Sequence, residues 1–126
     1  MIDITVLKKA FKSQFGLDVP SQARFIQRGG NLSVVCDGQD IIVSYEAEKE
    51  AVRGAFLACA MGEEPYSVEE KTEFKDVCLM TDCSRNGVLN PSEAKRMILA
   101  AAMLGYNSFM LYTEDTYEVD GEPEFG

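Results

Sequence analysis

The chain has 126 residues, of which 46% are hydrophobic and 26% charged, a composition typical of one soluble globular domain. Its formal net charge of −9 lacks the basic face that a nucleic-acid backbone requires, and it disfavours an anionic membrane surface. We therefore expect no nucleic-acid partner and no membrane partner.

Metal and cofactor signals are missing from the sequence. The chain contains no histidine, and its four cysteines form no Cys-x-x-Cys pair, which argues against a zinc site of the common kind. No other pattern indicates a metal or an organic cofactor, so we expect neither. The N-terminal residues lack a basic start and an apolar core of a signal peptide, and we expect a cytoplasmic chain.

The first predicted element is a helix that begins at Asp3 or Thr5 and ends at Gly16. A short side-chain oxygen at either start position can accept an unpaired backbone N–H. Glycine suits the left-handed position that follows a helix. Apolar residues recur between these ends at helical spacing: Ile4, Leu7, Phe11 and Phe15.

Three short strands are predicted next, over residues 23–28, 32–36 and 41–45. The turn signals Gly29-Gly30-Asn31 and Asp37-Gly38 separate them. This pattern predicts an antiparallel hairpin or meander.

A second helix is predicted from about Glu46 to Met61, followed by a strand or extended segment from Tyr66 to Phe74. The acidic first turn of this helix suits the helix dipole. Residues 1–75 therefore predict an α+β domain, with a small mostly antiparallel sheet and helices on one face.

The pattern changes at Asp76. Residues 77–80 form a continuous apolar run, typical of a strand that is buried on both faces of a parallel sheet. Asn90, Pro91 and Glu93 mark the start of a helix that ends at Gly105. Residues 108–112 are the next buried strand. Residues 76–126 thus predict a β-α-β unit with a parallel strand pair.

Polar residues cluster where each of these two strands ends. Asp82 and Arg85 follow the first strand, and Glu114 and Asp115 follow the second. In a (β/α)8 barrel, the groups that bind substrate lie at these carboxyl ends. A whole barrel needs roughly 250 residues, so we expect residues 76–126 to be the opening β-α-β fragment of a truncated barrel.

The stretch Leu-Met-Thr-Asp-Cys-Ser-Arg-Asn at 79–86 resembles the first barrel strand of glycoside hydrolase family 20, the β-N-acetylhexosaminidases. Asp82 and Arg85 match the Asp-x-x-Arg motif of that strand. Residues 105–118 look like the next stretch of bacterial members. Residues 1–75 sit where the family has a small α+β domain, so the resemblance is specific over 79–126 and architectural before it.

The resemblance implies removal of terminal N-acetylhexosamine by retaining hydrolysis, in which the substrate's own acetamido oxygen is the nucleophile. Arg85 would bind sugar hydroxyls and Asp82 would orient that region; alternatively, Arg85 caps the strand end and pairs with Asp82. Glu114 and Asp115 could line the sugar pocket or form a solvated turn. The family's catalytic Asp-Glu pair lies on a later strand, so we assign no catalytic residue.

Three interpretations remain open from the sequence, and with them whether this is an enzyme. The chain is the N-terminal fragment of a glycosidase, inactive alone, whose parent acts on terminal N-acetylhexosamine glycans. Alternatively, it is a stand-alone, non-catalytic α/β module that binds a protein or a carbohydrate. A third interpretation is an unrelated small α+β regulatory protein. Exposed barrel strands would also make a homodimer possible.

Overall fold

The computed structural model describes residues 2–85, 87–114 and 118–124. Within them the chain is α+β, as predicted, with three helices, a mixed four-stranded sheet and a separate two-stranded sheet. The elements in chain order are α1 (Ile4–Phe15), β1 (Ala23–Gln27), β2 (Leu32–Cys36), β3 (Ile41–Tyr45), α2 (Glu48–Met61), β4 (Tyr66–Glu70), β5 (Cys78–Asp82), α3 (Pro91–Met103) and β6 (Ser108–Tyr112).

The structure confirms the predicted ends of the first helix. Asp3 is the N-cap, and its carboxylate accepts the backbone N–H groups of Thr5 at 2.8 Å and Val6 at 3.2 Å. Gly16 ends the helix with a φ of 66°, a left-handed conformation that glycine adopts at little cost. Leu7 and Phe11 point into the core and are buried.

The larger sheet has the strand order β1-β3-β2-β4. The predicted hairpin between β2 and β3 is confirmed, and β4 adds antiparallel to the other edge of β2. The prediction that β1 continues this antiparallel meander is wrong, because β1 pairs with β3 and runs parallel to it.

The residues around Gly29 explain this difference. They form a loop that crosses the end of β3 rather than a tight turn, and must span two strand spacings, about 9–10 Å. The backbone N–H of Arg28 donates to the carbonyl of Tyr45 at 2.8 Å, and the Gln27 side chain donates to the carbonyl of Glu46 at 3.0 Å. Glycine-rich sequence permits both a hairpin turn and such a crossing loop, so local pattern does not separate them.

The second helix begins at Glu48, two residues after the predicted start. The buried carboxylate of Glu50 accepts the backbone N–H groups of Glu46 and Ala47, at 2.8 and 3.0 Å, and the Thr72 hydroxyl at 2.5 Å. Burial opposes the ionised form of Glu50, but these hydrogen bonds outweigh it and hold its pKa below the ordinary value. The buried Glu50 carboxylate therefore supplies a hydrogen-bond acceptor to the backbone N–H groups at the start of α2.

Helices cover one face of the four-stranded sheet, as predicted, and the core lies between them. The opposite face is mostly exposed to solvent, with apolar side chains at Ile26, Val35 and Ile42, although Ser44 on this face is buried. The core is formed mainly by one face of the sheet together with α1 and α2: Leu7, Phe11, Leu32, Val34, Ile41, Val43, Tyr45, Ala51, Ala55 and Ala58.

The predicted parallel pair is confirmed, but the prediction that both strands are buried is wrong, because most residues of each strand are exposed. β5 and β6 run parallel, with Asp82 in register with Tyr112, and α3 connects them. Asn90 is the N-cap of α3 and accepts the backbone N–H of Glu93 at 2.9 Å, while Pro91 occupies the first turn. Gly105 follows the helix with a φ of 94°.

We expect Gly54→Ala to destabilise the fold by up to about 2 kcal/mol, which is the cost of an overpacked core less the helix propensity that alanine gains. A Cβ at this position would lie 2.4 Å from Cγ1 of Val43 and 3.1 Å from Cδ1 of Leu32, both buried side chains. Alanine gains about 1 kcal/mol of helix propensity over glycine, which this overlap exceeds. Urea denaturation followed by circular dichroism measures the difference.

Gly29→Ala is the matched control, because a Cβ there meets no atom within 4 Å. Its free energy of unfolding should match that of the wild-type chain. A Gly54→Ala variant as stable as this control would contradict the close packing of α2 on the sheet.

Candidate functional site

The two-stranded sheet has two unlike faces. Leu79, Thr81 and Phe109 are half-buried on one face, where Phe109 lines a cavity together with α3 residues, whereas Leu111 on the same face is 53% exposed. Every residue on the opposite face is exposed; the relative exposure is 59% for Met80 and 51% for Met110. We call this opposite side the open face, and it consists of Cys78, Met80, Asp82, Ser108, Met110 and Tyr112.

The open face is unusual for parallel strands. Such strands occur almost only where both sides of the sheet are covered, and their residues are accordingly apolar. Met80 lies directly beside Met110 in the strand register, so their exposed side chains are neighbours. We therefore expect a further layer of structure to cover the open face.

Asp82 is held at the carboxyl end of this face. Its Oδ1 accepts the backbone N–H of Ser84 at 2.7 Å and the Ser84 hydroxyl at 2.5 Å. The hydrogen bond from the Ser84 hydroxyl makes the largest contribution to lowering the pKa of Asp82, and the bond from the Ser84 backbone N–H also lowers it. The positive charge of Arg85 lowers this pKa further. The N–H of Cys83 donates to the carbonyl of Tyr112 at 2.7 Å and extends the strand pairing past Asp82.

The alternative in which Arg85 pairs with Asp82 is not observed. Arg85 is exposed, and among the described residues no ion pair joins its guanidinium to the Asp82 carboxylate. Ser84 occupies Oδ1 instead. The guanidinium nevertheless lies close enough for its positive charge to lower the pKa of Asp82.

Glu114 lies at the same end of the sheet, two residues beyond the register partner of Asp82. It is exposed, and its φ of 52° is left-handed, which is uncommon for glutamate. Such backbone conformations concentrate at functional sites. The fourth predicted site residue, Asp115, lies outside the described residues.

The carboxyl ends of the two strands thus carry two carboxylates and a guanidinium. No group of three or more His, Cys, Asp or Glu in the described part of the chain could hold a metal ion. Carboxylate acceptors next to forked guanidinium donors suit a ligand rich in hydroxyl groups.

A cavity of about 360 Å³ lies at the other end of the two-stranded sheet. Its lining includes Val52 of α2, Ile98 of α3, and Ser108 and Phe109 at the start of β6. Asp82, Arg85 and Glu114 do not line it. Asp82 therefore lies about a strand length away from this cavity, roughly 13 Å at 3.3 Å per residue.

Sequence reasoning missed a second polar cluster, formed by Lys49 and Arg53 of α2 and by Asn107. Lys49 and Asn107 donate to backbone carbonyls of the segment that enters β5, and Arg53 donates to the last carbonyl of α3. The four-residue spacing of Lys49 and Arg53 on α2 was the available sequence signal. A polar helix face is equally expected where a helix is simply exposed to solvent.

No protein-family model matches this chain, and a search of curated proteins finds no match. Among the described residues, no helix combines the length and the apolar character that crossing a bilayer demands. A functional assignment therefore depends on the open face and on the residues at its carboxyl end.

We expect Ser84→Ala to raise the pKa of Asp82 toward its ordinary value, because the substitution removes the hydroxyl hydrogen bond that contributes most to the lowering. The ionised form then loses stabilisation, so protonation occurs at higher pH. Carboxyl ¹³C NMR titration of Asp82 measures this. Ser67→Ala on β4, an exposed serine on the other sheet, should leave the titration unchanged.

Proposed function

We propose that this chain is the N-terminal part of a glycosidase that removes terminal N-acetylhexosamine by substrate-assisted retaining hydrolysis, as in glycoside hydrolase family 20. One observation carries the proposal: Asp82 lies on the open face at the carboxyl end of a parallel strand pair. In a (β/α)8 barrel that face is the interior, and that end holds the active site.

Residues 76–126 are, on this proposal, the opening β-α-β fragment of such a barrel. Bulky apolar side chains fill the interior of small barrels, and Met80 and Met110 would serve this purpose. Further parallel strands of the same polypeptide would cover the open face. This accounts for the exposure of both methionines, which together with Tyr112 at 43% are poorly suited to contact with water.

The described residues bind and orient in this proposal, and they do not carry the chemistry. Arg85 donates to hydroxyls of the terminal sugar through its fork of N–H groups. Asp82, fixed by Ser84, holds the loop that presents Arg85. Glu114 lines the pocket wall. The general acid and the group that orients the acetamide come from a later strand, so the 126 residues are inactive alone.

A stand-alone binding module fits the same surface less well. Such a module would leave the open face and both outer strand edges in water, and soluble proteins avoid that arrangement. A barrel accounts for both the apolar open face and the polar residues at the strand ends. A binding module accounts only for the polar residues.

We expect the natively expressed protein to hydrolyse an aryl β-N-acetylhexosaminide, and Arg85→Ala to lower kcat/KM by about 10²-fold. Two charge-assisted hydrogen bonds of about 1.5 kcal/mol each give a loss of this order. Initial rates with the glucosamine and galactosamine derivatives measure it.

Arg24→Ala is the matched control, because Arg24 is an exposed arginine on β1 that pairs with Asp40 at 3.3 Å. Its kcat/KM should equal that of the wild-type protein. The proposal fails if the wild-type protein hydrolyses neither substrate, or if Arg85→Ala behaves like Arg24→Ala.

The open face also leads us to expect that the 126-residue chain, studied alone, forms a homodimer. A second copy would then cover the apolar surface that barrel strands cover in the parent. Met80→Lys combined with Met110→Lys should give a monomer in sedimentation velocity. Val35→Lys, an exposed apolar position on the other sheet, should leave the dimer intact. A wild-type chain that is monomeric at all concentrations would refute this.

A further inference from the structure

Lys49 of α2 holds the backbone that enters β5. Its ammonium donates to the carbonyl oxygens of Phe74 at 2.5 Å and Lys75 at 2.8 Å. Both carbonyls lie just before Cys78, the first residue of β5. An ammonium has three donors and no acceptor, so it suits a pair of carbonyls well.

Arg53, one helical turn further along α2, reaches two other elements. Its Nε and Nη2 donate to the two carboxylate oxygens of Glu70 on β4, at 3.0 and 2.7 Å. Its Nη1 donates to the carbonyl of Met103, the last residue of α3, at 3.3 Å. The last carbonyls of a helix lack partners within it, and a cation there also complements the helix dipole.

Asn107 joins the starts of β5 and β6 at the same place. Its Oδ1 accepts the backbone N–H of Val77 at 2.8 Å, and its Nδ2 donates to the carbonyl of Lys75 at 3.1 Å and to Oδ1 of Asp76 at 3.2 Å. The carbonyl of Lys75 therefore accepts from both Lys49 and Asn107. The entry to β5, the entry to β6 and the end of α3 meet in one cluster.

We infer that Lys49 and Arg53 are positioning residues, through which the four-stranded domain orders the β5-α3-β6 unit. A two-stranded parallel sheet with a long crossover is not stable by itself. The two cations fix two backbone segments of this unit, the entry to β5 and the end of α3, and Asn107 joins the entry to β6 to the first of them. This role goes beyond the proposed function and does not depend on sugar chemistry.

The ion pair of Arg53 with Glu70 is less exposed to solvent than the surface ion pair of Arg24 with Asp40. Its side chain and that of Glu70 are 23% and 37% exposed, against 71% and 46% for Arg24 and Asp40. Exposed pairs contribute little, whereas a bidentate arginine pair in a partly buried site keeps its geometry and strength. The hydrogen bonds with Arg53 also lower the pKa of Glu70.

Apolar packing also links the two parts, since Met103 and Leu99 of α3 join the core cluster. Arg53→Ala leaves those side chains in place, so it tests the polar contacts apart from the apolar ones. Arg53→Lys keeps the charge but not the fork, and it should reproduce most of the effect of Arg53→Ala.

The test is amide hydrogen exchange of the 126-residue chain, followed residue by residue. We expect Arg53→Ala to speed exchange about tenfold or more in β5, α3 and β6, and to leave β1, β2 and β3 unchanged, because local opening is governed by local contacts. Lys49→Ala should speed exchange in β5 and β6. The control Arg24→Ala should change neither region.

Equal acceleration in both sheets would overturn the inference, because Arg53 would then support the whole fold and position nothing. Unchanged exchange in β5, α3 and β6 would overturn it as well. If Arg53→Ala does not fold, Lys49→Ala decides by the same criteria. Since no activity is measured, a failure of the glycosidase proposal leaves this result unaffected.

Discussion

The need of parallel strands for cover on both faces is the constraint on which the rest of this structure depends. The four-stranded sheet meets its own need, with helices on one face and a solvated second face, as mixed sheets with antiparallel pairs can. The β5-β6 pair does not, because its open face presents Met80 and Met110 to water. The proposed barrel and the expected dimer of the isolated chain both follow from this uncovered apolar face.

The two ends of the β5-β6 pair have different tasks in this account. At the amino-terminal end, Lys49 and Arg53 fix the backbone against α2. At the carboxyl end, Asp82 and Arg85 remain exposed, and Asp82 accepts two hydrogen bonds from Ser84. Barrel enzymes divide stability and activity between the same two ends, so the anchoring cluster and the proposed sugar site are compatible on one unit.

The sequence predicted features that depend on short-range signals. Asp3 and Asn90 cap their helices as expected, because a cap needs only a side chain and the next backbone N–H groups. The position of β1 was missed, since the Gly29 loop can form a turn or cross a strand end. The contacts of Lys49 and Arg53 were missed as well, because backbone carbonyls distant in sequence have no sequence signature.

The most direct test of the central claim, that further strands of the same polypeptide cover the open face, is the intact mass of the natively expressed protein. The 126 residues have a mass of 13.9 kDa. A (β/α)8 barrel needs roughly 250 residues, so the account predicts a single polypeptide well above twice this mass. A native product of 13.9 kDa would contradict it.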